Sequence, residues 1–413
     1  MKAIIISIGD ELLIGQVINT NAPHIAERLN GVGVEVVEMQ TVGDSEDAIL
    51  ASFGYAWEHY DVVVVTGGLG PTHDDITRAA VCKFFQTDLV IDPASLENIK
   101  ALMARWNYPW TKEAEGQALV PRAAVVIPNS LGTAPGYLFS RHQKYCVVMP
   151  GVPHEMEAMM KEFVVPHFTK IPSGRIILHR TLNTTGIAES ILAARLGNIE
   201  ELVQETKLAF LPSSAGVRLR ISVVTDNRAR AKEAIRRTEL RIREKAEKYI
   251  YSTDDEPIEE MVGRLLQERE LRLAVAESCT GGLIAHRLTN IPGSSTYFER
   301  GLVTYSNASK TELLDVSPDL IKKHGAVSKE VAEAMAEGVR ISAKVDIGIS
   351  TTGIAGPTGG SIEKPVGLVW MGYAHGGEIS ALSFNFGPLR TRVKERAAQA
   401  AFNLLRRKLL NIE

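Results

Sequence analysis

The sequence predicts an α/β protein with more than one domain. Three observations carry this. Apolar runs of strand length alternate with helical patterns along most of the chain. The chain has 413 residues, more than one hydrophobic core usually serves. Hydrophobic residues make up 45% and charged residues 23%, enough apolar side chain for packed cores and too little charge for disorder.

Residues 3–8 read as a buried first strand. The run is too short for a signal peptide, and Asp10 and Glu11 follow it directly. Further strands are expected at 35–41, 61–66 and 145–149, with helical patterns at 21–29 and 75–85 between them. Strands alternating with helices predict a mainly parallel sheet. From about residue 173 the order changes: strand 176–182, helix 188–196, strands 207–211 and 217–224, then a highly charged helix 228–249. That is a small α+β unit, and a charged helix of this kind is read as a solvated face.

Residues 251–257 are polar and acidic and end in Pro257, so they read as a linker. A second α/β unit follows. It has helix 258–268, strand 272–276, helix 282–289, strand 301–305, helix 329–342 and strand 346–351. Strands 366–374 and 378–386 flank a His375-Gly376-Gly377 hairpin turn, which makes the sheet mixed, and an amphipathic helix, 392–410, closes the chain. The domains are thus expected at 1–170, 171–252 and 257–413.

Composition excludes several classes. A formal net charge of −3 calls for neither a nucleic-acid nor an anionic-membrane partner. No apolar run is long enough to span a bilayer. Cys82, Cys146 and Cys279 are scattered and odd in number, which supports neither a disulfide framework nor a zinc site. A reducing cytoplasm is the expected compartment.

The C-terminal unit holds four features with chemical content. Ala276-Glu-Ser-Cys-Thr-Gly-Gly282 sits between a strand and a helix. Ser278 on such a turn is presented at the sheet edge, and the N–H groups near Thr280, Gly281 and Gly282 at the helix start suit an oxyanion. A serine there is also an ordinary N-cap. Tyr305-Ser-Asn-Ala-Ser-Lys310 offers Lys310 as a general base, provided burial or a nearby cation lowers its pKa. The glycine-rich run Thr352-Gly-Ile-Ala-Gly-Pro-Thr-Gly-Gly360 can bring backbone close to a ligand, through Thr352, Gly353, Gly356 and Gly359. Arg390 can hold a phosphate and, by repulsion, help keep Lys310 neutral; Arg392 is the alternative register. Cys279 is the rival nucleophile.

These four features together resemble the C-terminal domain of the CinA family and the stand-alone nicotinamide-nucleotide amidohydrolases, over residues 257–413. The resemblance implies deamidation of nicotinamide mononucleotide to nicotinate mononucleotide and ammonia, without a cofactor. It implies Ser278 as nucleophile, Lys310 as base, and Tyr305 and Arg390 in support or substrate binding.

In the N-terminal unit, Gly9–Gly15 follows the first strand, and Asn21 opens the next helix. The run Thr66-Gly-Gly-Leu-Gly-Pro-Thr-His-Asp-Asp75 follows a later strand. Gly67, Gly68 and Gly70 at a strand-to-helix turn suit phosphate. Asp44, Asp74, Asp75 and Glu155 would repel it unless they hold a divalent metal. Asp74 also reads as an N-cap and Glu155 as a helix-dipole partner. His73 and His154 lack a second histidine at ligand spacing.

This half resembles the molybdopterin-binding family (MoaB/MogA-like), on the GDELLIGQ start, the TGGLGPTHDDIT loop, Gly132–Gly136 and Met149–Pro153. In the full-length CinA family the resemblance implies metal-dependent hydrolysis of ADP-ribose to AMP and ribose 5-phosphate, with Mg, Mn or Co as the metal and Asp75 near the phosphate. The middle segment resembles a KH module but has no GxxG loop, so a spacer or dimerisation role is expected. The fold implied is thus a three-layer molybdopterin-binding-like domain, a KH-like α+β domain and an α/β amidohydrolase domain with a mixed sheet. The expected partners are small nucleotides and a second copy of the chain. Two other readings stand beside this one: a molybdopterin-handling or adenylyl-transfer protein, and a non-enzymatic nucleic-acid-binding competence factor.

Overall fold

The computed structural model describes all residues except 71–75, 172–175, 214, 254–255 and 413. The chain divides into two compact units: Met1–Leu178 with Val223–Ala234, and His179–Ser222 with Ile235–Glu413.

The first unit is organised by a six-stranded sheet in the order Glu35–Val42, Lys2–Ile8, Val62–Thr66, Lys144–Met149, Gly136–Arg141, Val125–Ile127. The first four strands run parallel and the last two pair antiparallel. Side chains alternate across the sheet, so one strand feeds two cores. Ala3 and Ile5 pack with Ile25, Leu29, Met156 and Phe168, while Ile4, Ile6 and Ile8 pack with Ile49, Phe53, Val81 and Phe85. Helices on both faces cover a continuous apolar run, which makes this domain three-layered.

Four strands form a further sheet in the order Lys207–Ser213, Gly216–Thr225, Ile176–Thr184, Ile250–Thr253. The last of these takes residues 251–253 out of the expected linker at 251–257, while 256 and 257 lie in neither helix nor strand and 254–255 are outside the described residues. Ile250–Thr253 pairs antiparallel with Ile176–Thr184, with Ile250 and Ser252 turned inward and buried. The guanidinium of Arg406, itself buried, donates to the carbonyls of Lys248 (3.0 Å) and Ile250 (2.8 Å). The other face is half-buried, with Tyr251 packed against the C-terminal core.

The C-terminal sheet has five strands in the order Phe298–Val303, Leu273–Glu277, Ile347–Gly353, Leu368–His375, Glu378–Asn385. The first three are parallel, and the last two are antiparallel neighbours joined at Gly376-Gly377. The strand expected at 301–305 lies three residues earlier. It is an edge strand with no buried residue, so the apolar pair Leu302–Val303 is a poor guide to its centre. Two helices, Ile258–Glu268 and Arg390–Leu410, share a core with one face of the sheet through Val262, Leu266, Ala397 and Leu405. Helix Lys329–Ala343 covers the other face.

That last helix lies on the sheet at glycines. A methyl group added at Gly348 would fall on the carbonyl oxygen of Ala336, and one at Gly372 on that of Ala332. Gly54, in helix Glu46–His59, has open space instead. Gly348→Ala is therefore expected to destabilise by about 1–3 kcal/mol, the usual cost of overpacking. Gly54→Ala is expected to stabilise by roughly 0.5–1 kcal/mol through helix propensity. Denaturant unfolding of the two variants checks both signs.

Candidate active site

Strand Leu273–Glu277 is buried along its whole length. The N–H of Ser278 donates to the carbonyl of Thr351 at 2.9 Å, so pairing extends one residue past the strand and holds the serine at the sheet's carboxyl edge. Only 9% of Ser278 is exposed.

Lys310 comes from helix Asn307–Leu314. The helix starts with a capping box, in which Ser306 Oγ accepts the N–H of Ser309 (3.0 Å) and Ser309 Oγ accepts the N–H of Ser306 (3.1 Å). Lys310 is 1% exposed. Its Nζ lies 3.3 Å from Ser278 Oγ and donates to the carbonyl of Thr304 at 2.8 Å, with those of Ser306 and Tyr305 at 3.4 and 3.5 Å. Burial pulls its pKa below the ordinary lysine value. Of the two expected causes, burial is the one that lowers it, and Arg390 is not among its causes. Arg390 instead donates to Tyr305 Oη (2.9 Å) and to the carbonyl of Gly356 (2.8 Å), which ties the mouth of the site together.

Ser278 and Lys310 open into a pocket of about 300 Å³. Tyr305, Thr352, Gly353, Gly356, Gly359 and Arg390 also line it. Eight of the C-terminal candidates thus meet in one cavity, and Arg390 rather than Arg392 is the arginine on its wall. Asn307 lines it too, although sequence reasoning passed it over. A signal was present: Asn307 and Lys310 stand at i and i+3, on one face of a helix. Cys279 also reaches the wall, but it is 5% exposed within an apolar cluster, and burial pushes its thiol up to about 12.

Three candidates do not belong to the pocket. Thr280 is fully buried, with its Oγ1 2.8 Å from that of Thr351. Gly281 and Gly282 lie outside the lining. The helix-start N–H groups expected to face an oxyanion are largely engaged by the protein itself. Glu277, 1% exposed, accepts from Gly282 (3.0 Å), Ile284 (3.1 Å) and Ala285 (2.8 Å). Among the described residues, the N–H groups of Cys279 and Thr280 have no such partner.

In the N-terminal domain a second pocket, of about 360 Å³, is lined by Gly68, Gly70, Thr133, Gly151 and Glu155. Asn21 donates from Nδ2 to the carbonyl of Gly151 (2.7 Å) and to Thr66 Oγ1 (3.2 Å), while its buried Oδ1 has no partner. Gly67 is a packing residue rather than a lining one: a methyl there would fall on the Ile8 carbonyl. The Asp44 carboxylate accepts the N–H of Asp10 (2.9 Å), the Asp10 carboxylate accepts the N–H of Asp44 (3.1 Å), and Asp44 is not in this lining. His73, Asp74 and Asp75 lie outside the described residues. The described residues bring one carboxylate to this pocket, Glu155, held by Asn129 Nδ2 at 2.7 Å. They contain no group of three His, Cys, Asp or Glu side chains able to hold a metal. They do not by themselves compose a divalent-metal site.

Three family models match along the chain. Residues 4–170 match the probable molybdopterin binding domain, 179–252 the damage-inducible protein CinA KH domain, and 255–409 the CinA C-terminal domain. A CinA-like protein of Chloroherpeton thalassium is 45% identical over 420 residues, and a putative competence-damage inducible protein of Caldicellulosiruptor saccharolyticus is 40% identical over 411. Both alignments cover 100% of each chain. A solved competence/damage inducible protein of Agrobacterium tumefaciens is 39% identical, with a TM-score of 0.36, covering 37% of this chain and 95% of its own. No described helix is long and apolar enough to cross a membrane. With relatives this similar along its whole length, the chain belongs to the CinA family.

Proposed function

We propose that the C-terminal domain is a serine–lysine amidohydrolase that converts nicotinamide mononucleotide to nicotinate mononucleotide and ammonia. The observation that carries this reading is the buried Lys310 amine, 3.3 Å from Ser278 Oγ at a pocket with an arginine on its wall. Ser278 Oγ attacks the carboxamide carbon, and Lys310 takes the hydroxyl proton. Of the residues after Ser278, Cys279 lines the pocket, and its N–H is the donor offered to the oxyanion. Lys310 returns its proton to the leaving nitrogen, the C–N bond breaks and ammonia departs. Water, deprotonated by Lys310, then attacks the acyl ester; the C–O bond to Ser278 breaks, Lys310 returns the proton to Ser278 Oγ, and nicotinate mononucleotide departs. Arg390 binds the nucleotide phosphate with the N–H donors not used on Tyr305 and Gly356.

Ser278→Ala is expected to cut ammonia release at least about 1,000-fold, as loss of an activated nucleophile does. Cys279→Ala keeps most of the rate, because a thiol this far from ionising at neutral pH is a poor nucleophile. The opposite ranking in an ammonia assay would reassign the nucleophile.

The pH dependence follows from the direction of the lysine shift. Only the neutral amine accepts a proton, and burial lowers its pKa, so kcat rises with pH through a midpoint below about 10.4, the unperturbed lysine value. Activity fails on the acid side of that midpoint. Lys310→Arg, protonated at every accessible pH, is inactive throughout. A pH–rate profile of wild type and variant checks both statements; a flat profile would remove lysine as the base.

A second reading concerns the N-terminal pocket, and one observation favours it. Asn21 is not in the pocket lining, but its Nδ2 holds the carbonyl of Gly151, which is, and its buried Oδ1 has no partner, which costs stability unless a ligand or water satisfies it. We infer that this pocket takes ADP-ribose and releases AMP and ribose 5-phosphate, with a dependence on Mg, Mn or Co. The test incubates the full chain with ADP-ribose and each metal or a chelator, comparing wild type with Asn21→Ala, Glu155→Gln and Asp75→Asn. Loss of AMP formation in the variants supports the reading. Absence of AMP from wild type under every condition removes it.

A further inference from the structure

We propose that Glu277 is a positioning residue that aligns both Ser278 and Lys310, through its side chain on one and its backbone on the other. The proposal rests on the serine–lysine reading above. Glu277 immediately precedes Ser278 and has no role in that mechanism, yet its carboxylate is 1% exposed. Burying a carboxylate is costly unless its oxygens are fully hydrogen-bonded. Here both are used: Oε2 accepts the N–H groups of Gly282 (3.0 Å) and Ile284 (3.1 Å), and Oε1 that of Ala285 (2.8 Å).

The geometry is a closed loop. Residues 278–282 leave the strand, reverse at Gly281 and Gly282 (φ 62° and 90°), and enter helix Leu283–Thr289. Two successive left-handed residues bring the helix start back onto the end of the strand. The Glu277 carboxylate ties that closure from inside, so the turn carrying Ser278 is fixed at both ends. One end is held by the Ser278 N–H to Thr351 bond, the other by three N–H donors on Glu277.

The backbone of the same residue reaches the base. The carbonyl of Glu277 accepts the N–H of Thr304 at 2.8 Å. The carbonyl of Thr304 in turn accepts from Lys310 Nζ at 2.8 Å. Nucleophile and base are 32 residues apart in sequence, and Glu277 is the residue through which both are referred to one point of the sheet. Its carboxylate also engages the helix-start N–H groups. A substrate phosphate is thereby denied a competing anion site at the helix end and left to Arg390.

The experiment measures kcat, KM and thermal stability of Glu277→Gln and Glu277→Ala with nicotinamide mononucleotide, beside wild type and Ser278→Ala. A misplacement of about 1 Å costs on the order of 100-fold in rate. Glu277→Ala is expected to lose about that much in kcat with KM nearly unchanged, and Glu277→Gln, which keeps one acceptor oxygen, to recover part of it. The acid midpoint of the Glu277→Gln profile stays at the wild-type value, because burial of Lys310 sets it. If Glu277→Ala does not fold, the glutamine variant alone carries the test. Unchanged kcat in a folded variant overturns the proposal. So does a loss of rate that merely tracks the fraction unfolded at the assay temperature. If Ser278→Ala stays active, the serine–lysine reading fails instead, whatever the glutamate variants do.

Discussion

The site depends on one amino group taken out of water. Lys310 is 1% exposed, and a buried ammonium without a carboxylate partner is expensive. Burial in this setting favours the neutral amine, and that is the direction of its shift. The three carbonyls of Thr304, Tyr305 and Ser306 around Nζ do not pull the other way strongly enough to reverse it. They can accept the two N–H bonds of the neutral amine, with Ser278 Oγ 3.3 Å from the same nitrogen. Packing moves this amine toward its neutral form, with no neighbouring cation required.

The fold explains why the needed loops converge. Strand Leu273–Glu277 lies between Phe298–Val303 on one side and Ile347–Gly353 on the other, all three parallel. Chain order therefore reverses at this strand, and a crevice opens beyond the carboxyl ends where successive connections leave in opposite directions. The first strand ends at Ser278 and the second leads to Thr304 and Lys310. The third supplies Thr352 and the glycine-rich loop. Each carries one part of the pocket wall.

Much of this was legible in the sequence. Strand–helix alternation predicted the α/β layers, and the local runs at 276–282, 305–310 and 352–360 predicted the dyad and the glycine-rich wall. What failed was nonlocal. The linker at 251–257 looked polar, but Ile250 and Ser252 point into a sheet whose partner strand lies about seventy residues earlier. Burial was one of the two causes expected for the lysine shift; the other, help from Arg390, depended on where its guanidinium turns, and the fold turns it to Tyr305 and Gly356. The N–H groups after Ser278 looked free because a helix start is free by default. The acceptor that takes them was in the motif all along, one residue before the serine.

That glutamate bears on the choice of nucleophile. A helix start carries partial positive charge and lowers the pKa of a nearby thiol. Cys279 stands only a few residues before such a start, in the setting that usually makes a cysteine reactive. Here Glu277 lies on the helix start, and its negative charge, together with burial, raises the Cys279 pKa. The same carboxylate that holds the turn for Ser278 thus removes the electrostatic advantage of its neighbour. A serine needs a base within reach, and Lys310 is at 3.3 Å. A cysteine here would need a thiolate, and the surroundings oppose one.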